Sequence, residues 1–310
     1  MLRLDRVSKV YRIGAFGGER LRAVRDVGFE VRPGQVVSLI GESGSGKSTI
    51  GRMVLGLTPI TEGTITFEGT DVSRLRGHRR RKEYYRRVQG VFQDPFSCFN
   101  PIFPADRVFA LIRAEYFPEA GDAEWRRRIA ESLDVVRLGP AQVLGKYPHQ
   151  LSGGQLQRLL IARALLLDIR MLVADEVISM LDASTRIDVL NLLGDLKARG
   201  MGILFVTHDL SLGNYVSDTS VILRRGAIAE SGPTGRVFAN PLHPYTRRLL
   251  ASVPRLHRTW AQTDAERAAD AEGGCPVHGP GGGDGGGVRL VEAEEGHFVG
   301  CSGDGADGSC

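Results

Sequence analysis

The sequence predicts an α/β fold built on a mainly parallel sheet, and three observations carry that prediction. Val36-Val37-Ser38-Leu39-Ile40, Met171–Ala174 and Ile203-Leu204-Phe205-Val206 are short, continuous apolar runs, the pattern of strands buried on both faces. Helical periodicity follows the first run, from Ser48 to Leu57, and fills Ser184 to Arg199 between the other two. Between the first run and its helix lies a glycine-rich loop, so the order is strand, loop, helix.

Taken in order, Leu2-Arg3-Leu4 alternates with period two, and Val24 to Val31 leans to β structure before a Pro33-Gly34 turn. These segments predict an N-terminal antiparallel β subdomain. Val88 to Phe92 reads as a further strand ending at Gln93. From Asp94 to Tyr147 the pattern turns to helices broken by proline and glycine, including Trp125 to Leu138. From Gly273 onward glycine dominates, with a low-complexity tract at 281–287. Such a stretch buries too little apolar surface to offset its chain entropy, so 255–310 is expected to be a flexible tail.

Composition narrows the class. A chain of 310 residues with 42% apolar and 25% charged residues is ordinary for a globular protein. Its longest apolar runs, such as Leu159 to Leu167, fall well short of the ~20 residues that span a bilayer. Met1 to Val10 reads as an amphipathic strand rather than a signal region. The protein is therefore expected in the cytoplasm, with any membrane role reached through a partner. The net charge of +4 is modest. Arg74, Arg76, Arg79, Arg80, Arg81, Lys82, Arg86 and Arg87 cluster, without the aromatic interleaving of RNA binders apart from Tyr84 and Tyr85, and are expected to form a solvated face rather than a nucleic-acid or lipid-headgroup patch. Cys98, Cys275, Cys301 and Cys310 lack paired C-x-x-C spacing, so no zinc site and no disulfide is expected.

The chemistry starts at Gly41-Glu42-Ser43-Gly44-Ser45-Gly46-Lys47-Ser48, the G-x-x-x-x-G-K-[ST] phosphate loop. Its glycines let backbone N–H groups close around phosphate oxygens at a helix N-terminus. Lys47 supplies a charge to those phosphates, and Ser48 a hydroxyl to Mg²⁺; Thr49 completes the set. Asp175 ends an apolar strand, where parallel sheets bind ligands, and is expected to hold Mg²⁺. Glu176 beside it is the candidate general base for an attacking water. Lys47 and Asp175 lie 128 residues apart, whereas a parallel crossover needs only about a dozen. The interval therefore houses an inserted helical subdomain, about 94–160.

Leu151-Ser152-Gly153-Gly154-Gln155, placed between the loop and the acidic strand, is the most specific segment. Ordered this way, the motifs resemble the ATP-binding subunits of ABC transporters. The resemblance implies ATP and Mg²⁺ as ligands and a P-loop ABC ATPase core. Gln93, in Val91-Phe92-Gln93-Asp94-Pro95, matches the family's Q-loop, implying contact with Mg²⁺ and the attacking water. His208, in Val206-Thr207-His208-Asp209, matches the switch histidine that reaches the γ-phosphate. Tyr11 is placed like the aromatic residue that stacks on adenine, with Phe16 a nearby alternative. Ser152, Gly153, Gly154 and Gln155 match the signature, which closes over the ATP of another subunit in a head-to-tail dimer. Asp182 matches the D-loop crossing that interface. The partners implied are a second ATPase subunit, paralogue or copy, two permeases and, indirectly, an extracytoplasmic solute-binding protein, with the chain on the cytoplasmic face of the membrane.

His243-Pro244-Tyr245-Thr246, followed by Leu249 to Pro254, is similar to the C-terminal element, about 233–254, of the dipeptide and oligopeptide importer branch. The resemblance covers about Leu2 to Pro254, leaving one ATPase domain, 1–254. Val177 stands where the family usually has proline, and Met180 replaces a common small residue. The Ile178-Ser179-Met180-Leu181-Asp182 variant hints at sugar-importing members, so an oligosaccharide importer is the closest alternative. Gly274-Cys275-Pro276 and His297 to Cys301 look like the ends of a four-cysteine segment whose middle is missing, and no iron–sulfur cluster is expected. A soluble ABC-type ATPase of DNA maintenance would separate the half-sites by a coiled coil, and no sustained heptads occur. A translation-factor relative would carry two cassettes. A non-hydrolysing regulatory cassette would lack some of Lys47, Asp175, Glu176 and His208.

Overall fold

The computed structural model describes residues 1–13, 18–252 and 288–302. Its chain divides into two units, Met1–Arg74 with Leu204–Cys310, and Leu75–Ile203.

The first unit opens with β1 (Leu2–Arg12), β2 (Arg20–Val31), β3 (Val36–Ile40), α1 (Lys47–Val54), β4 (Glu62–Phe67) and β5 (Thr70–Asp71). An antiparallel sheet in the order β2-β1-β4-β5 realises the expected N-terminal subdomain, with Leu2, Leu4, Val7, Val27 and Ile65 turned inward. Strand β3 is buried at all five positions, as its unbroken apolar run requires. Helix α1 stops at Val54, short of the expected Leu57. Gly56 there takes φ +65° and its N–H bonds the Met53 carbonyl, a left-handed cap that ends the helix.

The second unit holds α2 (His78–Arg87), β6 (Val88–Val91), α3 (Arg107–Tyr116), α4 (Asp122–Val135), α5 (Pro140–Val143), α6 (Gly153–Leu165), β7 (Met171–Asp175) and α7 (Ala183–Ala198). Strands β6 and β7 run parallel, Val88 opposite Met171 and Val91 opposite Ala174. The helices α3 to α6 fall between them, but the unit is broader than the expected insertion at 94–160 because both strands and α7 belong to it. The basic segment forms α2 and the turn before it. Arg76, Arg79, Arg80 and Arg81 are exposed, while Arg86 pairs with Asp168 at 2.8 Å and Lys82 with Glu115 at 3.2 Å.

Strand β8 (Gly202–Thr207) returns the chain to the first unit, followed by α8 (Leu210–Val216), β9 (Thr219–Arg224), β10 (Ala227–Pro233), α9 (Thr234–Ala239), α10 (Pro244–Ala251), β11 (Val288–Glu294) and β12 (His297–Ser302). Strands β3 and β9 are parallel; β9/β10, β10/β12 and β11/β12 are antiparallel. The parallel character expected from the sequence therefore holds around the loop-bearing strand, and the C-terminal edge is antiparallel. Ile40, Leu210, Ile222, Ala229, Val237 and Tyr245 form one buried cluster that packs α8, α9 and α10 on the strands.

One expectation is corrected. The tail, read as unstructured over 255–310, contains the hairpin β11/β12, turned at Glu295-Gly296 with Gly296 at φ +69°. Glycine content is a measure of local propensity, whereas the hairpin is held by tertiary pairing: Val299 and Phe298 add to the open edge of β10 opposite Glu230 and Ser231. His297 and Val299 are fully buried, and His297 Nε2 lies 2.7 Å from buried Glu230 Oε1. Cys275, Cys310 and the Cys301 side chain lie outside the described residues, and so does the iron–sulfur question. Among the described residues no helix is long and apolar enough to cross a membrane.

Candidate active site

In the first unit the phosphate loop joins β3 to α1, and its backbone shows why glycine stands there. Gly44 and Gly46 have φ +79° and +104°, and a Cβ on Gly46 would lie 2.5 Å from the Ala23 carbonyl. Gly41 admits no side chain for another reason, since a Cβ would meet the Leu223 carbonyl at 2.3 Å. Lys47 is buried, and its Nζ donates to the Gly41 and Glu42 carbonyls at 2.6 and 2.8 Å. The ammonium is thereby fixed beside the N-terminus of α1, whose first N–H groups favour an anion. Ser45 Oγ is buried without a hydrogen-bond partner among the described residues. A helix N-terminus, a fixed cation and an unsatisfied hydroxyl fit phosphate oxygens.

Tyr11 stands near the end of β1 opposite Leu21, on the strand pair that Gly46 abuts at Ala23. Lys9 Nζ lies 4.9 Å from its ring centroid, a cation–π contact on the ring expected to meet adenine. Phe16 lies outside the described residues. His208 is exposed between two anchored neighbours. The Thr207 hydroxyl accepts from Asp209 N–H at 3.0 Å, and the Asp209 carboxylate caps α8 through Ser211 and Leu212 N–H. Gly213 keeps α8 tight on β3, because a Cβ would meet Ile40 Cδ1 at 2.6 Å.

The second unit carries the remaining residues. Asp175 is the buried last residue of β7, and Glu176 follows at φ +50°, a left-handed conformation that a non-glycine residue adopts at a cost. The Glu176 carbonyl accepts from Ser179 N–H at 3.1 Å and Ser179 Oγ at 2.9 Å, which locks the turn. Val177 and Ile178 are buried there and Met180 is exposed, so the departures from the family pattern replace no polar contact. Gln93 is exposed, and its neighbours are anchored: Phe92 O accepts from Gln157 Nε2 at 3.3 Å, and Asp94 Oδ1 accepts from Phe96 N–H at 2.9 Å.

Ser152 caps α6, its Oγ accepting from Gln155 N–H at 3.2 Å, while Gln155 Oε1 accepts from Ser152 N–H at 2.9 Å. The signature glutamine is thus engaged in a capping box. Gly154 is buried where a Cβ would meet Thr185 Cγ2 at 2.3 Å, so α6 approaches α7 by virtue of that glycine. Asp182 caps α7. The Ser184 hydroxyl, then Thr185 N–H and Thr185 hydroxyl, hold its carboxyl well below the usual carboxylate range.

The family follows from comparison of this chain with known proteins. The ABC transporter family matches residues 24–179, spanning the phosphate loop, the signature and Glu176. The chain belongs to that family. As an ABC-type ATPase it binds and hydrolyses ATP. A second match, the oligopeptide/dipeptide transporter C-terminal region, covers residues 229–278. A Brucella abortus (strain 2308) protein named as an ATP-binding protein for peptide import is 44% identical over 242 residues, 77% of this chain and 71% of the relative. The oligopeptide transport ATP-binding protein OppF of Bacillus subtilis (strain 168) is 35% identical over 283 residues, 91% and 90% of the two chains. Among solved structures, the dimeric post-hydrolysis ATP-binding cassette MJ0796, bound to ADP and phosphate, superposes with a TM-score of 0.67 at 29% identity. It covers 76% of this chain and 99% of that one.

Sequence reasoning named candidate motif residues in this ABC cassette but not the side chains that anchor the segments around them. On α6 Gln157 is buried and Arg163 half-buried; Arg163 donates to Gln89 Oε1 at 3.1 Å and Gly90 O at 3.3 Å. A glutamine and an arginine on an otherwise apolar helical face are the signal that could have marked them. His243 likewise serves α10, its Nδ1 accepting from Tyr245 N–H at 2.9 Å, and Tyr245 Oη accepts from Glu42 N–H at 3.2 Å.

Proposed function

We propose that this chain is the ATP-hydrolysing subunit of an importer for dipeptides or oligopeptides, working at the cytoplasmic face of a membrane on two permeases and paired head-to-tail with a second ATPase subunit. The observation that carries the peptide reading is α10 with its His243 cap, built on the Glu42 end of the phosphate loop, in the region matched by the oligopeptide/dipeptide transporter element. The names of the relatives agree with it.

In this reading Gly41, Ser43, Gly44, Ser45, Gly46 and Thr49 wrap the ATP phosphates, Lys47 neutralises them and Tyr11 meets the base. Ser48, Gln93 and Asp175 offer a hydroxyl, a carboxamide and a carboxylate, the hard oxygen donors that suit Mg²⁺. Mg²⁺, when bound, would neutralise charge developing on the transferred phosphoryl group. Glu176 takes the proton of the attacking water, held in position by its locked turn, and His208 steadies the γ-phosphate. Ser152, Gly153, Gly154 and Gln155 present the N-terminus of α6 to the ATP of the second subunit, with Asp182 alongside.

The test replaces Glu176 with Gln. ATP binding is expected to persist while turnover falls about 10²-fold or more, the scale of a positioned base, and uptake of a labelled dipeptide by cells relying on the variant is expected to stop. Near-wild-type turnover removes Glu176 from this role. Lost turnover with undiminished dipeptide uptake refutes the solute class.

A further inference from the structure

Beside the phosphate loop a cavity of about 450 Å³ opens between Glu42–Ser45 and a wall made by Arg224, Arg225, Tyr245 and Arg248. That volume is ordinary for a small-ligand pocket. All of these residues belong to the first unit, and the cavity shares Ser43, Gly44 and Ser45 with the ATP loop while Lys47, Ser48 and Thr49 lie outside its wall.

The charge of this wall calls for an anion. Arg224, Arg225 and Arg248 line the cavity, and Glu42 is the one carboxylate among its lining residues. Burial, then the charges of Arg248 and Arg225, lowers Arg224 from its ordinary value, with Tyr245 and Glu42 opposing, so the arginines feel one another. Tyr245 ties the wall to the loop: Arg224 lies 5.6 Å from its ring centroid, and its hydroxyl takes the Glu42 N–H.

We propose that this cavity is a second anion site, which takes a small phosphate-bearing molecule held by Arg224, Arg225 and Arg248. Guanidinium forks match phosphate oxygens in pairs, and a tetrahedral anion offers enough of them for several forks at once. Because its floor is the outer side of the phosphate loop, occupancy is felt by the ATPase through the Tyr245–Glu42 bond. The site goes beyond the importer reading and does not depend on hydrolysis.

The full chain, saturated with Mg²⁺ and ADP so that the nucleotide loop is filled, is titrated calorimetrically with inorganic pyrophosphate. One further binding event is expected, weakened at least about tenfold in R225Q/R248Q by loss of two charge-assisted contacts. Both side chains are exposed, and unchanged circular dichroism verifies the fold of the variant. The preceding ADP titration reads the nucleotide site on its own, so failure there counts against the ATPase reading alone. Absence of pyrophosphate binding to the ADP-loaded chain means the anion belongs to the nucleotide loop and overturns the proposal. Equal binding by R225Q/R248Q overturns it as well.

Discussion

Gln157 Nε2 donates to the Phe92 carbonyl at 3.3 Å from a fully buried position, so the helix that starts at the signature grips the loop that carries Gln93. Arg163, two turns further along α6, holds Gln89 and Gly90 on the same strand. Two motifs more than fifty residues apart are thereby joined within one unit by a hydrogen bond to the residue before Gln93.

Gln157→Leu cuts that bond at nearly constant volume. The Phe92 carbonyl is left unsatisfied, while the equally unsatisfied Gln157 Oε1 disappears, so the net loss of stability is expected at about 1–2 kcal/mol. Turnover is expected to fall more than ATP affinity. Denaturant titration and steady-state ATPase kinetics measure the two; unchanged turnover would disprove the coupling.

Gly154→Ala forces a methyl to within 2.3 Å of Thr185 Cγ2. Overpacking of this kind costs about 1–3 kcal/mol. Adding Thr185→Ser removes the clashing methyl and keeps the hydroxyl that bonds Asp182. Thermal melts are expected to show loss in the single variant and recovery in the double. No recovery would mean that Gly154 is required for its backbone and not for the close approach of α6 and α7.

His243 is buried, and burial first, then the charges of Arg224, Arg248 and Arg247, push it down to about 4. The unfolded chain binds its proton more readily, with a pKa near 6.5. Stability is therefore whole above about pH 6.5 and declines as pH falls toward 4, by an amount on the order of 3 kcal/mol. His243→Asn retains a capping oxygen for Tyr245 N–H and does not titrate. Stability measured between pH 7 and 4.5 is expected to fall less in the variant. Parallel curves would exclude His243 as the source.

Buried His297 meets buried Glu230, which also accepts from Leu242 and His243 N–H at 2.9 and 3.0 Å. His297→Leu breaks the histidine contact inside an apolar setting, at a cost of about 3 kcal/mol or more. The amides of β11 and β12 are expected to exchange with deuterium faster while those of β3 stay protected. Protection of 288–302 at the wild-type level would refute this role.

The sequence by itself determined what is local or ordered along the chain. Val36–Ile40 announces a buried strand by composition, Gly44 and Gly46 announce a loop by spacing, and the order of loop, signature and acidic strand carries the family. Ser152, Asp182 and Asp209 are helix caps whose partners lie within three residues, so their positions too are readable from neighbours. Only the tertiary structure decided the rest. The hairpin at 288–302 was hidden because its stability comes from the open edge of β10 and the Glu230–His297 pair, 67 residues apart, and not from its own propensity. Gln157 and Arg163 look like interruptions of an apolar helix until the strand carbonyls they serve come within reach. The arginine wall beside Ser45 draws on two separate segments of chain, and charges that meet only after folding leave no spacing for a sequence to show.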